Sequence, residues 1–246
     1  MNTAPYKAVS LFSGAGGMDV GFSNAGISIE VANELDPEAS KTYRLNHESK
    51  LLEGNIRDYV GHLKLYRGID LVFGGPPCQG FSVAGKMNPD DERSALIHTY
   101  FDVVDAIKPR AFICENVKAL ATLSKWAAVR SELINRASKT YSTALIILNS
   151  SEFGVPQNRE RMFLVGFTKD EINVCESVLL SWLGNELAKL REKPPTIRDI
   201  VYKLGRAGSL SNNRICKAKI TFAKSPVLRN SPYAGMLRSE EHTSEL

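Results

Sequence analysis

The sequence predicts an α/β sandwich on a mainly parallel sheet, and three observations carry that expectation. Short apolar runs alternate with segments of helical spacing from about residue 7 to residue 190. A glycine-rich turn, Phe12-Ser13-Gly14-Ala15-Gly16-Gly17, joins the first apolar run to the first helical segment. Polar residues suited to a nucleoside, Glu34 and Asn55, then follow on successive strand ends.

Each element has its own signal. Ala8 to Phe12 reads as a strand, Met18 to Ala25 as a helix closed by Gly26, and Ile27 to Ala32 as a second strand. Asp36-Pro37 is an N-cap and first-turn pair that opens a helix through about Leu45. Ile69 to Phe73 is a strand. Ser94 to Ile107 has apolar residues at helical spacing and stops before Pro109. Ala111 to Cys114 is a strand and Lys125 to Ala137 a helix. Thr143 to Leu148 and Met162 to Phe167 are strands close enough to pair, and Glu171 to Leu190 is a helix. Pro194-Pro195 marks a boundary. The expected division is a catalytic domain over 1–190 and the beginning of a second domain over 191–237.

Apolar content of 43% and charged content of 24% are those of an ordinary soluble domain. No apolar run approaches the ~18 residues of a membrane span, and the N-terminus lacks the pattern of a signal peptide. Cys78, Cys114, Cys175 and Cys216 show no metal-ligand spacing with the histidines, so no metal is expected and a reducing, cytoplasmic setting fits. Charge is uneven. Residues 1–190 hold 20 Lys and Arg against 22 Asp and Glu, whereas 191–237 hold 10 against 2. A near-neutral body followed by a basic segment suggests catalysis joined to polyanion binding.

The most informative stretch is Gly75-Pro76-Pro77-Cys78-Gln79-Gly80. A Gly-Gly-Pro-Pro frame after a strand is a poor place for a packing residue, so Cys78 reads as a nucleophile on a loop. Cys114 and Cys175 read as core residues. The loop Gly80 to Arg93 is polar and suited to closing over a substrate. Glu34 can accept ribose hydroxyls or favour a helix dipole. Asn55 can meet an adenine amino group or serve as an ordinary loop residue. Glu115, 37 residues after Cys78, can donate a proton or cap a helix. Arg159 and Arg161, spaced by two, can face phosphate or a base carbonyl, or form a surface ladder with Glu160.

In order and identity these segments resemble the DNA (cytosine-5) methyltransferase family. The resemblance rests on Phe12 to Gly17, Asn33-Glu34-Leu35-Asp36, Gly54-Asn55-Ile56, Gly75 to Ser82, Glu115-Asn116-Val117 and Gln157 to Arg161, and it spans about residues 7–168. It implies a Rossmann-like three-layer methyltransferase fold and S-adenosyl-L-methionine as methyl donor. Phe12, Gly14, Gly16, Glu34, Leu35, Asn55, Ile56, Gly75, Pro77 and Leu96 are then the cofactor residues. Asn55 is a departure, since the family often has Asp there. Cys78, Glu115, Arg159 and Arg161 are the implied catalytic group, and Gln79 and Ser82 belong to the substrate loop. The implied reaction adds Cys78 to carbon 6 of a flipped cytosine and methylates carbon 5.

The family's implied partner is double-stranded DNA, with the enzyme either part of a restriction-modification system beside a cognate endonuclease or an orphan, and the chain is expected to act as a monomer. The alternatives are methylation of tRNA and a fragment that binds without turnover. Residues 191–237 look like the start of target recognition, and the family's later segments are expected beyond them. Arg238 to Leu246 resembles the translation of a sequencing-library adapter, and the expectation is a truncated reading frame.

Overall fold

The computed structural model describes residues 5–77, 96–196 and 198–200. Its strands are β1 (Lys7–Leu11), β2 (Ser28–Glu34), β3 (Lys50–Glu53), β4 (Leu71–Gly74), β5 (Ala111–Val117), β6 (Tyr141–Asn149) and β7 (Glu160–Thr168). They form one sheet in the order β3-β2-β1-β4-β5-β7-β6. The pairs from β3 through β5 are parallel, while β7 runs antiparallel to both β5 and β6. This is the mainly parallel α/β architecture expected, including the ribbon of β6 and β7.

The helices are α1 (Gly17–Asn24), α2 (Pro37–Asn46), α3 (Ile56–Leu63), α4 (Leu96–Ile107), α5 (Lys118–Thr122), α6 (Ala127–Ala137) and α7 (Glu176–Ala188). Strand periodicity sorts the core into two faces. Val9, Leu11, Val72, Phe112 and Cys114 pack with residues of α3, α4 and α6 in the larger cluster. The alternate residues Ala8, Leu71 and Phe73 face Met18 and Phe22 of α1. Ala144 and Val165 face Leu179 of α7. Burial on both faces explains why the central strands read as continuous apolar runs.

Several expectations need correction. β3, α3 and α5 have no strong sequence signal. β3 is a four-residue edge strand with charged ends, made by its pairing with β2 rather than by its own pattern. β5 runs on to Val117, so Glu115 lies within a strand and does not cap a helix. α7 starts at Glu176 rather than Glu171, because backbone groups of the preceding segment are tied to β6: the Ile172 carbonyl accepts from Ser142 Oγ, and the Val174 N–H donates to the same oxygen. Cys175 is exposed at the N-terminus of α7 and is not a core residue, whereas Cys114 is buried and its thiol is pushed up by desolvation.

Behind the glycine-rich turn lies a buried polar cluster. Asp19, in the first turn of α1, accepts hydrogen bonds from Ser10 Oγ at 3.0 Å and Tyr43 Oη at 2.8 Å. Desolvation raises its pKa despite these donors. The Tyr43 ring stacks on His47, with centroids 4.3 Å apart. Removing the Tyr43 donor leaves a buried carboxylate under-solvated. Tyr43→Phe is expected to cost about 1–3 kcal/mol, read by urea denaturation. An unchanged midpoint would show that Asp19 does not need this donor.

Candidate active site

Parallel strands deliver their C-terminal ends to one edge of the sheet. The order reverses between β1 and β4, the place where open α/β sheets leave a crevice. A cavity of about 360 Å³ lies there, lined by Phe12, Asn33, Glu34, Leu35, Asp36, Pro37, Asn55, Ile56, Gly75, Pro77 and Leu96. Eight of these, Phe12, Glu34, Leu35, Asn55, Ile56, Gly75, Pro77 and Leu96, are residues singled out from sequence. A wider hollow of about 710 Å³ runs along α6, but its Arg136 is already paired with Asp102 and Asp105. It offers little for a ligand to satisfy, so the smaller cavity is the better candidate.

The glycine-rich turn is shaped by backbone geometry. Phe12 follows β1 at φ +54°, an uncommon conformation for a non-glycine residue, and Gly14 and Gly16 are also left-handed. Gly14 and Gly16 do not line the cavity. The Gly14 N–H instead donates to Glu34 Oε2 at 2.6 Å. Gly16 is packed against the His47 imidazole, which occupies the space a Cβ would need. Asp36 N–H donates to Glu34 Oε1 at 2.8 Å. Each carboxylate oxygen of Glu34 therefore holds one backbone donor and keeps a lone pair for another.

Asn55 caps α3, its Oδ1 accepting from Arg57 N–H at 3.1 Å. Asn33 Nδ2 donates to the carbonyls of Leu52 and Gly54, stitching the ends of β2 and β3 together below the cavity. Sequence reasoning does not single out Asn33, Asp36 and Pro37 as site residues; their signal is adjacency to Glu34 in the same run, where the chain leaves β2.

At the other end Gly75 and Pro77 reach the cavity wall. A Cβ on Gly75 would lie 2.8 Å from Glu115 Oε2, so glycine lets the chain pass against this carboxylate. Glu115 is mostly buried, and its Oε1 is 3.1 Å from Arg161 Nε. Burial raises the Glu115 pKa, while the charges of Arg161 and then Arg159 lower it. The ladder with Glu160 does not form, because Glu160 pairs with Lys118 instead. Arg159 is exposed, and its backbone N–H donates to Asn149 Oδ1. Cys78, Gln79, Ser82 and the loop through Arg93 lie outside the described residues, as do residues 201–246.

The sign of the Glu115 shift makes a prediction. Between the ordinary carboxyl value and the raised one, the folded protein keeps a proton that the unfolded chain has lost. Glu115 therefore lowers stability as pH rises through that window. Arg161→Met removes the leading counter-charge and is expected to raise the Glu115 midpoint further, read by carbon-13 NMR of the carboxyl. A lower or equal midpoint would contradict this electrostatic account.

Among the described residues no group of three or more His, Cys, Asp or Glu is arranged to hold a metal ion. No described helix is long and apolar enough to cross a membrane.

The profile of the C-5 cytosine-specific DNA methylase family matches residues 6–243. The chain is 45% identical over 176 residues to Type II methyltransferase M.AquIA of Picosynechococcus, covering 65% of this chain and 71% of that one. It is 41% identical to Type II methyltransferase M.FnuDI of Fusobacterium nucleatum, over 67% of this chain and 47% of that one. The chain thus spans about half the length of the Fusobacterium relative and of M.NgoPII from Neisseria gonorrhoeae, of which it covers 49%. Among solved structures, a protein described as a DNA modification methyltransferase encoded within an E. coli prophage superposes with a TM-score of 0.66 at 28% identity. That match covers 82% of this chain and 56% of that one. DNMT2 of Spodoptera frugiperda shares the fold, with a TM-score of 0.54 at 24% identity, over 68% of this chain and 51% of that one.

Proposed function

The chain belongs to the C-5 cytosine-specific DNA methylase family, and on that premise we propose that it methylates carbon 5 of cytosine in duplex DNA through a covalent adduct with Cys78. One observation carries the proposal. Glu115, a mostly buried carboxyl with a raised pKa, lies directly against Gly75, in the segment that leads to Cys78 beside a nucleoside-sized cavity.

The cavity suits S-adenosyl-L-methionine. Its volume is within the range of small-molecule pockets, about 300–1,000 Å³. Phe12, Leu35, Ile56, Pro77 and Leu96 offer apolar walls for a base, and Glu34 keeps lone pairs for a diol. Asn55 retains an amide N–H₂ and a second lone pair beyond its cap. When bound, this cofactor supplies a methyl group activated by a sulfonium.

The chain's own residues supply the rest. The Cys78 thiolate adds to carbon 6, and Glu115 delivers a proton to ring N3 as electrons shift toward it. Carbon 5 becomes an enamine carbon able to take a methyl group. Solvent water takes the carbon-5 proton, the electrons of that bond form the C5–C6 double bond and expel Cys78 as thiolate, and the N3 proton returns to Glu115. Arg161 holds Glu115 in place and offers its remaining N–H groups to the ring carbonyl. Duplex stacking hides carbon 6, so the cytosine must flip out. The neutral body and basic 191–237 segment support DNA as partner, with 191–237 beginning the target-recognition region. The reading carries with it a cytoplasmic monomer acting beside an endonuclease of the same specificity.

Transfer of tritium from labelled cofactor to duplex DNA tests this, with tRNA as the competing substrate. Label appearing in DNA as 5-methylcytosine is expected. Label in tRNA alone, or in neither, would contradict the proposal.

A further inference from the structure

Asn116 is buried, and its amide joins its own strand to a segment 40 residues earlier in the chain. Nδ2 donates to the Pro76 carbonyl at 3.2 Å, and Oδ1 accepts from Val117 N–H at 2.9 Å. We propose that Asn116 is a positioning residue, tying the chain just before Cys78 to the strand that carries Glu115. This rests on the reading that Cys78 and Glu115 act on one cytosine.

The geometry makes the tie specific. β4 ends at Gly74, where its ladder with β5 pairs Gly74 with Cys114. Beyond that point Pro76 and Pro77 have no N–H with which to extend the ladder. Among the described residues, the Asn116 amide is the side chain that reaches across to Pro76. Glu115 and Asn116 are consecutive on a strand, so they project to opposite faces. Glu115 meets the segment at Gly75 and Asn116 meets it at Pro76. Two contacts on adjacent residues fix both the distance and the rotation of this segment relative to the acid. A misplacement of ~1 Å between reacting groups can cost ~100-fold in rate.

Asn116→Asp separates positioning from simple packing. The side chains match in size, and the carboxylate still accepts from Val117 N–H. It cannot donate to the Pro76 carbonyl until it is protonated. The charged groups that flank Asn116 in sequence and across the strand pair are Glu115 and Lys118 on its own side, and Arg159, Glu160 and Arg161 at the entry to β7. Glu115 and Arg161 pair with each other, as do Lys118 and Glu160.

The experiment measures kcat, the cofactor KM and the melting temperature for the parent, Asn116→Asp and Asn116→Ala from pH 5.5 to 8.5. An inactive parent would overturn the functional reading itself. With an active parent, Asn116→Asp is expected to lose at least about tenfold in kcat at pH 8, with the cofactor KM within about threefold. Its rate relative to the parent is expected to recover as pH falls, because the protonated carboxyl can donate again. Asn116→Ala is expected to show no such recovery, or to fail to fold, which leaves the first variant decisive. A kcat equal to the parent's, or a loss in Asn116→Asp that is independent of pH and follows only the melting temperature, would overturn the proposal.

Discussion

Cys78→Ser is expected to lower methyl transfer by about 10⁴-fold or more while leaving cofactor affinity within about threefold. Serine keeps the size of the side chain but replaces a soft, readily ionised thiol with an alcohol that is almost never ionised near neutral pH. Without attack at carbon 6, carbon 5 stays a poor nucleophile, and no other proposed group compensates. Cofactor affinity should survive because the cavity walls come from Phe12 after β1, the end of β2, the starts of α2 and α3, Gly75, Pro77 and the start of α4. Filter binding of labelled cofactor and single-turnover transfer separate the two effects. A variant retaining a tenth of the parent rate would show that the sulfur is not the nucleophile.

Glu115→Gln should have the next largest effect, a loss of about 10²–10⁴-fold in kcat. The amide fills the same space against Gly75 but has no acidic proton to give. In the parent, desolvation favours the protonated acid despite Arg161 and Arg159. Activity that depends on this acid should fall as pH rises through the raised Glu115 value. In the variant that limb of the pH profile should vanish, leaving a low, flatter rate. A variant with parental kcat, or one that keeps the same limb, would remove Glu115 from the proton-transfer role.

Much of the fold was legible because burial on both faces of a central sheet forces continuous apolar runs. β1 and β4 show this plainly, the Ala111–Cys114 part of β5 shows it in sequence, and β2 is interrupted by Glu30 and Asn33; the ribbon of β6 and β7 adds proximity to the signal. β3, α3 and α5 were not legible. Lys50–Glu53 becomes a strand because β2 offers it an edge, and α3 starts where Asn55 caps it. The convergence of Phe12, Glu34, Asn55 and Gly75 followed from topology, since parallel strands place their C-terminal ends together. Contacts set by distant segments were hidden. No local pattern shows that His47 backs Gly16, that Glu34 is held by Gly14 and Asp36, or that Asn116 reaches Pro76. Cys175 misled because cysteine is usually buried, whereas the late start of α7 leaves it at an exposed helix end.

The most direct test of the account uses duplex DNA in which cytosine is replaced by 5-fluorocytosine. Fluorine cannot leave carbon 5 as a proton does, so after methylation the elimination step is blocked and the adduct persists. The protein is incubated with this DNA and cofactor, denatured, digested and read by mass spectrometry. The account predicts a methylated fluorocytosine attached to the peptide containing Cys78, absent in Cys78→Ser. An adduct on another residue, or no adduct under conditions where ordinary DNA is methylated, would contradict it.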